Sequence, residues 1–155
     1  MTDWHNALDF MSEDQRSNRF ALAQLESAEI AMAECLRRLD KALGNRRGIR
    51  RYGCATIPMD DALSRVVVDL GGRPYLVYEI ANKRRKIMAF DVSLIEEFLR
   101  AFCVQARMNL HVAQLYGREP HHAYESVFKA LARALREAVE RDPREQGIPS
   151  SKGTL

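Results

Sequence analysis

The chain has 155 residues, 46% of them hydrophobic and 29% charged, with a formal net charge of +3. This length and composition fit one globular domain with its own core, and the mild charge permits binding of small anions without indicating a nucleic-acid partner. No stretch approaches the roughly 20 apolar residues of a membrane span, and the first 20 residues lack the pattern of a signal peptide. The three widely spaced cysteines favour reduced thiols and a cytoplasmic protein.

The N-terminal third is predicted to be a long helix. Ser12 can cap its start, and leucine and methionine recur from Leu22 to Leu43 at spacings of three, four and seven, which forms one apolar stripe. Gly44 then stands at the usual C-terminal position of a helix. The carboxylate of Glu29 falls on this stripe, where it is costly unless it is paired or binds a metal. Glu29 is therefore either a buried ligand or an edge residue that reaches water.

The segment 45–51 is densely basic, with four arginines in seven residues. It is short for a nucleic-acid patch and has only Tyr52 as aromatic support. Arginine forks match phosphate oxygens, so a clamp for a small phosphorylated ligand is the better-proportioned interpretation. The remaining alternative is a solvated loop.

A β-rich stretch follows. Alternating apolar residues bounded by turn signals predict five strands, at Tyr52–Ile57, Leu63–Leu70, Arg73–Ile80, Ile87–Phe90 and Met108–Leu115. Pro58 is expected to end the first strand, and Gly71-Gly72 is a two-residue hairpin signal between the second and the third. Asp91 can cap a helix that runs to about Arg107. Because strands and helices do not alternate regularly, their order favours an α+β fold with an antiparallel or mixed sheet.

The last helix is predicted to begin at Pro120, whose missing N–H costs nothing in a first turn. His121 and Glu125 are four residues apart and His122 and Glu125 three apart, so imidazole and carboxylate share a face, and Lys129 adds a cation one turn further on. Imidazole beside a carboxylate suits manganese or iron. The alternative is an exposed helix start whose histidines contact only solvent.

Eight motifs stand in order along the chain: Gly48–Gly53, Ile57–Asp60, Val68–Leu76, Asn109–His111, Leu115–Arg118, His121-His-x-x-Glu125, Phe128–Leu135 and Pro149–Gly153. Together they resemble the imidazoleglycerol-phosphate dehydratase family of histidine biosynthesis, and the resemblance runs from about residue 42 to the end of the chain. It implies an α+β fold in which two similar halves each place two helices on one face of a four-stranded sheet, like domain 2 of ribosomal protein S5.

The resemblance also implies an assembly and a reaction. Chains of this family form a large octahedral cage, with active sites between subunits that hold two manganese ions. The reaction removes water from imidazoleglycerol phosphate to give imidazoleacetol phosphate, and the metal ions acidify the imidazole. On this basis we expect a degenerate helical segment at 1–48, one half-repeat at 49–142 and a tail at 143–155 that covers the substrate.

Residue roles follow from the same resemblance. His121, His122 and Glu125 match the second metal-binding motif, and Glu125 is also a candidate catalytic group. The substrate phosphate would be bound by five residues that match the family's pocket: Arg51, Arg73, Lys129, Ser150 and Lys152. These are donors and cations that suit a phosphate dianion.

The first half departs from the family pattern. Its His-His-x-x-Glu motif falls on 25–29, where both histidines are replaced and only Glu29 remains as a metal-binding and catalytic candidate. Phe10 stands where a further ligand histidine is expected, and Glu97 stands at another. Glu26, Glu29 and Glu97 could form a carboxylate-rich metal site with a histidine of a neighbouring chain.

Two functions are consistent with this pattern. The first is a metal-dependent dehydratase that acts on a phosphorylated imidazole as a homo-oligomer, with manganese as its cofactor. The second is a non-catalytic paralogue or subunit that assembles with a complete dehydratase and regulates it or completes its site. Neither requires a nucleic acid or a membrane.

Overall fold

A computed structural model describes residues 37–81, 86–88 and 90–150 of the chain, and all of them belong to one compact unit, Leu36–Leu155. The predicted N-terminal helix can be assessed only at its end. Residues 37–43 are helical, and Gly44 follows with a φ of +52° and donates its N–H to the last helical turn. The predicted end is therefore confirmed. Several sequence predictions lie outside the described residues: Ser12, Leu22, Glu26, Glu29 and Lys152.

Within the described ranges there are six strands and two further helices: β1 (Tyr52–Met59), β2 (Ala62–Asp69), β3 (Tyr75–Glu79), β4 (Lys86–Ile87), β5 (Phe90–Asp91), β6 (Asn109–Tyr116), α1 (Ser93–Ala106) and α2 (Pro120–Val139). Four strands form a mixed sheet in the order β1-β2-β6-β3, in which β3 and β6 are parallel and the other neighbours antiparallel. The predicted α+β class, with a four-stranded sheet and two helices, is confirmed. Neither α1 nor α2 has the combination of length and hydropathy that a membrane crossing requires.

The predicted hairpin at Gly71-Gly72 is wrong. β2 pairs with β6, whereas β3 lies on the far side of β6 and runs parallel to it. Parallel strands need a crossover connection, and α1 provides it between β3 and β6. The hairpin of this sheet is instead the β1–β2 turn at Asp60 and Asp61, where Asp60 has a φ of +45°. A glycine pair indicates a turn but does not specify which strand the chain pairs with after it.

Two strand boundaries also differ from expectation. Pro58 does not end β1, which continues to Met59. β1 is an edge strand, and an edge leaves one row of N–H groups unpaired, so a proline is tolerated there. The single strand predicted at Ile87–Phe90 is a small antiparallel pair, β4 with β5, because Met88 takes a φ of +54° and reverses the chain.

Polar side chains contact the starts of α1 and α2. The cap position of α1 is Val92, which makes no side-chain cap hydrogen bond, so the predicted cap at Asp91 is one residue early. The Asp91 carboxylate still accepts hydrogen bonds from the N–H (3.0 Å) and the hydroxyl (2.8 Å) of Ser93, the first residue of α1. α2 begins at Pro120 as predicted, and the side chain of Glu119 accepts the N–H of His121.

A single core lies between the sheet and the helices. Alternate strand residues such as Val66 and Val112 are buried, and they share this core with Leu99 of α1 and Val127 of α2, so both helices cover one face of the sheet. The contact of α2 with β1 is especially close, since a Cβ at Gly53 would collide with the helix backbone at residue 134. This contact joins the start of β1 to the later turns of α2, and the helix then lies along β1 so that Lys129 reaches Met59 beside the β1–β2 hairpin.

One arginine of the basic segment has a structural role. Arg46 is only 3% exposed, and its guanidinium donates to the carbonyls of Leu70 (2.8 Å), Ala106 (3.0 Å) and Arg107 (3.0 Å) and to the carboxylate of Asp40. It therefore joins the end of β2 to the end of α1, where carbonyls otherwise lack partners. Arg46 is neither a solvated side chain nor a candidate phosphate ligand.

Candidate functional site

Charged and imidazole side chains gather where the β1–β2 hairpin meets the start of α2. Two come from the turn and four from the first three turns of the helix. We call this group the hairpin-end cluster; it consists of Asp60, Asp61, His121, His122, Glu125 and Lys129.

Three members of the cluster form a line along α2. The Nε2 atom of His121 lies 3.2 Å from Oε2 of Glu125, and the Nζ atom of Lys129 lies 2.7 Å from Oε1 of the same carboxylate. The hydrogen bond from Lys129 is the main reason that the pKa of Glu125 is lowered, so this group is a carboxylate at neutral pH. His121 is 64% exposed. The line follows directly from the four-residue spacing and presents one imidazole and one carboxylate to solvent.

His122 points to the hairpin instead of to Glu125. Its Nδ1 atom lies 2.8 Å from Oδ1 of Asp61, and its Nε2 atom lies 3.4 Å from Oδ2 of Asp60. The hydrogen bond with Asp61 is the main reason that the pKa of His122 is raised. The second oxygen of Asp61 accepts the backbone N–H groups of Arg118 (2.7 Å) and Glu119 (3.2 Å), which with His122 lower the pKa of Asp61 to about 2.

Sequence reasoning assigned no role to Asp60 or Asp61. Asp60 ends the motif Ile57–Asp60 and Asp61 follows it, but the helix that they approach lies about sixty residues further along the chain. Two acidic residues between two strands are typical of any solvated turn. Only the tertiary packing of α2 on β1 brings them to His122.

A second polar group lies at the opposite end of the sheet. We call it the arginine-end cluster; it consists of Arg51, Asp69, Arg73, Asn109 and Pro149. The guanidinium of Arg51 binds the Asp69 carboxylate through Nε (2.7 Å) and Nη2 (3.2 Å), donates through Nη1 to the carbonyl of Pro149 (2.8 Å), and lies over the ring of Tyr52. A Cβ at Gly71 would come within 2.9 Å of both partners of this ion pair, so glycine leaves the room that it needs.

The other predicted phosphate ligands divide between the two ends. The carbonyl of Arg73 accepts the side-chain amide of Asn109 (2.7 Å), which leaves the exposed Arg73 side chain near the arginine end. Ser150 follows Pro149 directly, and its N–H donates to the carbonyl of Ile148. Lys129 lies elsewhere, because its Nζ is 3.2 Å from the sulfur of Met59 at the hairpin end.

The separation between the two ends can be estimated from β1. This strand begins at Tyr52, next to Arg51, and ends at Met59, next to Lys129. Seven steps of about 3.3 Å correspond to about 23 Å. Within one chain, Arg51 and Lys129 therefore do not reach the same phosphate group.

The hairpin-end cluster has the types of donor that a manganese site needs, but too few of them. Imidazole nitrogen and carboxylate oxygen suit this metal, and His121, His122 and Glu125 supply them. In the part of the chain that the structure describes, however, no three His, Cys, Asp or Glu side chains are grouped so as to hold an ion. Glu97 is exposed on α1. Further ligands would have to come from residues beyond the described ranges or from another chain.

Comparison with known proteins assigns the chain to a family. Residues 21–135 match the family model for imidazoleglycerol-phosphate dehydratase. The chain belongs to this dehydratase family. An imidazoleglycerol-phosphate dehydratase of Geobacillus kaustophilus is 53% identical over 117 residues, which cover 76% of this chain and 60% of the relative. Another, of Symbiobacterium thermophilum, is 50% identical over 131 residues, which cover 84% of this chain and 62% of the relative. The chain thus spans about 60% of the length of these relatives.

Solved dehydratase structures share the fold. The enzyme of Staphylococcus aureus matches with a TM-score of 0.64 and 40% identity, covering 67% of this chain and 61% of that one. The enzyme of Pyrococcus furiosus, crystallised with (S)-C348, matches with a TM-score of 0.70 and 34% identity, covering 81% of this chain and 68% of that one. The resemblance seen in the sequence motifs and the expected half-repeat fold are both confirmed.

Proposed function

We propose that this chain is a subunit of a metal-dependent dehydratase that converts imidazoleglycerol phosphate to imidazoleacetol phosphate in histidine biosynthesis. The observation that supports it best is the hairpin-end cluster, in which His121, Glu125 and Lys129 stand in line on the exposed face of α2 and His122 is held beside them by Asp61. The simpler alternative is an exposed helix start whose histidines contact only solvent. It does not account for His122, whose ring is oriented by Asp61, a carboxylate that two backbone N–H groups hold in place.

In this proposal the second metal motif is the part of the site that the chain retains. The imidazoles of His121 and His122 and the carboxylate of Glu125 would hold manganese, joined by Glu29 as the remnant of the first motif. The metal, when bound, would act as a Lewis acid that acidifies the substrate imidazole. Lys129 keeps Glu125 ionised, and an ionised carboxylate is the form that can bind a metal or accept a proton.

The substrate phosphate would be held by residues from more than one chain. Arg51, Arg73, Ser150 and Lys152 are the candidates near the arginine end or in the tail, whereas Lys129 lies at the other end of β1, a strand about 23 Å long. A pocket that uses all five residues therefore needs two chains, which fits a homo-oligomer. Arg51 would have both a phosphate-binding and a structural role, because three of its N–H groups already bind Asp69 and the carbonyl of Pro149.

A second candidate function is a non-catalytic paralogue that assembles with a complete dehydratase. The observation that favours it is the first motif, in which residues 25–29 keep only Glu29, so that 121–125 is the one complete His-His-x-x-Glu motif in this sequence. Such a subunit would present its hairpin end or its arginine end to the site of a partner chain. Loss of metal ligands usually costs large factors in affinity or activity, which is why this alternative is retained.

The first experiment is to measure bound manganese per chain in protein purified without chelator, together with native mass. Metal in a large oligomer would support the dehydratase, and turnover of imidazoleglycerol phosphate should then be detectable. A small oligomer that takes up no added manganese and shows no turnover would exclude a self-sufficient enzyme.

A mixing experiment then separates the two functions. If sites form between identical chains, a mixture of His121→Gln and Arg73→Gln proteins, reassembled together, should recover activity above that of either variant alone. If the chain is a paralogue, activity should depend on adding a complete dehydratase. No recovery in either mixture would contradict both versions of the proposal.

A further inference from the structure

Asp61 is held more firmly than any other acidic residue of the hairpin-end cluster. Its Oδ2 accepts two backbone N–H groups, from Arg118 at 2.7 Å and from Glu119 at 3.2 Å, in the loop that leads into α2. Backbone N–H groups can only donate, so this oxygen must be an acceptor. The carboxylate is thereby fixed in orientation, and its other oxygen, Oδ1, faces Nδ1 of His122 at 2.8 Å.

This geometry determines the tautomer of the imidazole. An ionised carboxylate can only accept hydrogen bonds, so Nδ1 of His122 must carry the hydrogen. In the neutral ring the lone pair is then on Nε2. Histidines that bind metals commonly have this arrangement, in which a carboxylate accepts the hydrogen of the other ring nitrogen and fixes the ring.

We propose that Asp61 is a positioning residue of the metal motif, which holds His122 in the Nδ1–H tautomer and so presents its Nε2 lone pair to the metal ion. The proposal rests on the proposed function to the extent that it requires a metal at His122. It assigns a role in the site to Asp61, a residue of the β1–β2 turn that is far from the motif in sequence.

The neighbouring acid, Asp60, does not have this role. Its Oδ2 lies 3.4 Å from Nε2 of His122, too long for a strong hydrogen bond, and its side chain is 66% exposed. Asp60 can attract a protonated ring, but it faces the nitrogen that would bind the metal and not the one that carries the hydrogen. It is therefore the matched control for Asp61, since both lie in the same turn.

The test uses Asp61→Asn in the full-length protein. The asparagine oxygen has to remain on the N–H groups of Arg118 and Glu119, because the amide NH₂ would oppose them. The NH₂ group then faces Nδ1 of His122 and donates to it, which reverses the hydrogen bond and moves the ring hydrogen to Nε2. Solid-state NMR of sedimented, metal-free protein labelled with ¹⁵N-histidine reports the tautomer at alkaline pH, and the chain has only four histidines to assign.

We expect the neutral ring of His122 to carry its hydrogen on Nδ1 in the wild type and on Nε2 in Asp61→Asn. Manganese affinity, titrated by electron paramagnetic resonance, should fall about 10- to 100-fold in this variant. Asp60→Asn should keep the wild-type tautomer, and asparagine suits the positive φ at that position.

Three results would contradict the proposal. A wild-type ring with its hydrogen on Nε2 would do so without any variant. An unchanged tautomer in Asp61→Asn would show that Asp61 does not determine it, and an unchanged manganese affinity with a reversed tautomer would show that Nε2 is not the ligand atom. If even the wild type takes up no manganese, the ligand role of His122 and the proposed function fail, while the NMR result still decides whether Asp61 sets the tautomer.

Discussion

The two ends of the sheet carry similar kinds of charged residues in opposite arrangements. At the hairpin end, His121 and Lys129 each bind Glu125, and the three side chains stay between 34% and 64% exposed. At the arginine end, Arg51 is 14% exposed and binds a carboxylate and a backbone carbonyl. We therefore expect the hairpin end to present donors to a ligand, whereas the contacts at the arginine end join the strands to the tail.

This difference in exposure should separate the residues that matter for ligand binding from those that matter for folding. A side chain whose partners are other exposed side chains contributes little to folding, because solvent screens its interactions. Removing one side chain of a part-buried ion pair that also binds the backbone lowers stability more, because the remaining charge is left without a counter-charge. Substitutions at the two ends should therefore affect different measurements.

The largest effect is expected for Glu125→Gln. The neutral amide cannot act as an anionic ligand, and it also loses the ion pair with Lys129. Manganese affinity and dehydratase turnover should each fall at least about 100-fold. The free energy of unfolding should change by no more than about 0.5 kcal/mol, because the ion pair is exposed.

Glu96→Gln is the matched control for this prediction. Glu96 forms an exposed pair with Arg100 at 2.7 Å with the same four-residue spacing, on α1 instead of α2. Its replacement should leave metal binding and turnover unchanged. Equal losses in both variants would mean that Glu125 has no special part in the site.

A smaller effect, on stability, is expected for Arg51→Ala. The variant removes the ion pair with Asp69 and the bond to the carbonyl of Pro149. We expect a loss of about 2 kcal/mol in denaturant unfolding and faster amide hydrogen exchange in the tail near Ile148. This end of the molecule should lose order while the hairpin end keeps its manganese affinity.

Arg144→Ala provides the comparison. Arg144 makes a similar two-pronged bond, to Asp142, but its side chain is 89% exposed. Exposed ion pairs contribute between zero and about 1 kcal/mol, so this variant should be close to the wild type. If both arginines proved equally dispensable, the arginine end would not be structural.

A third prediction concerns Arg73. Its carbonyl, not its guanidinium, bonds to Asn109, so Arg73→Gln should leave the free energy of unfolding unchanged. If the guanidinium grips phosphate, the affinity for a phosphorylated imidazole should fall roughly 10-fold or more, the equivalent of one charge-assisted hydrogen bond. Arg65→Gln, which removes an exposed arginine from β2, should bind like the wild type. Identical affinities for Arg73→Gln and Arg65→Gln would remove Arg73 from the pocket.

Sequence reasoning worked where the interacting residues are close along the chain. The line of His121, Glu125 and Lys129 follows from helical spacing, and the positions of β1, β2 and β6 follow from alternation. The starts of α1 and α2 were visible to within two residues in Asp91 and Pro120, because the residues that favour a helix start act within its first turn.

It failed where distant segments meet. Whether the chain after Gly71-Gly72 pairs with β2 or with β6 depends on the α1 crossover, which no dipeptide encodes. Asp61 and His122 are 61 residues apart, and Arg51 and Asp69 are 18 apart. In both pairs each residue alone is typical of a solvated surface, and only the packing of α2 and the strands gives it a partner.

The smallest effect is a pH dependence near the arginine end. Hydrogen bonds from the side chain and the N–H of Arg144 lower the pKa of Asp142 from 3.8 to about 2. A lowered pKa means that the folded state favours the carboxylate, so its stabilising contribution is present above pH 3.8 and is lost as the pH falls through about 2. The difference in unfolding free energy between wild type and Asp142→Asn should therefore be constant at neutral pH and disappear in acid.

Asp40→Asn would not serve as a control, because Asp40 binds the buried Arg46. A difference that persists unchanged to pH 2 would show that Asp142 acts through its shape and not its charge.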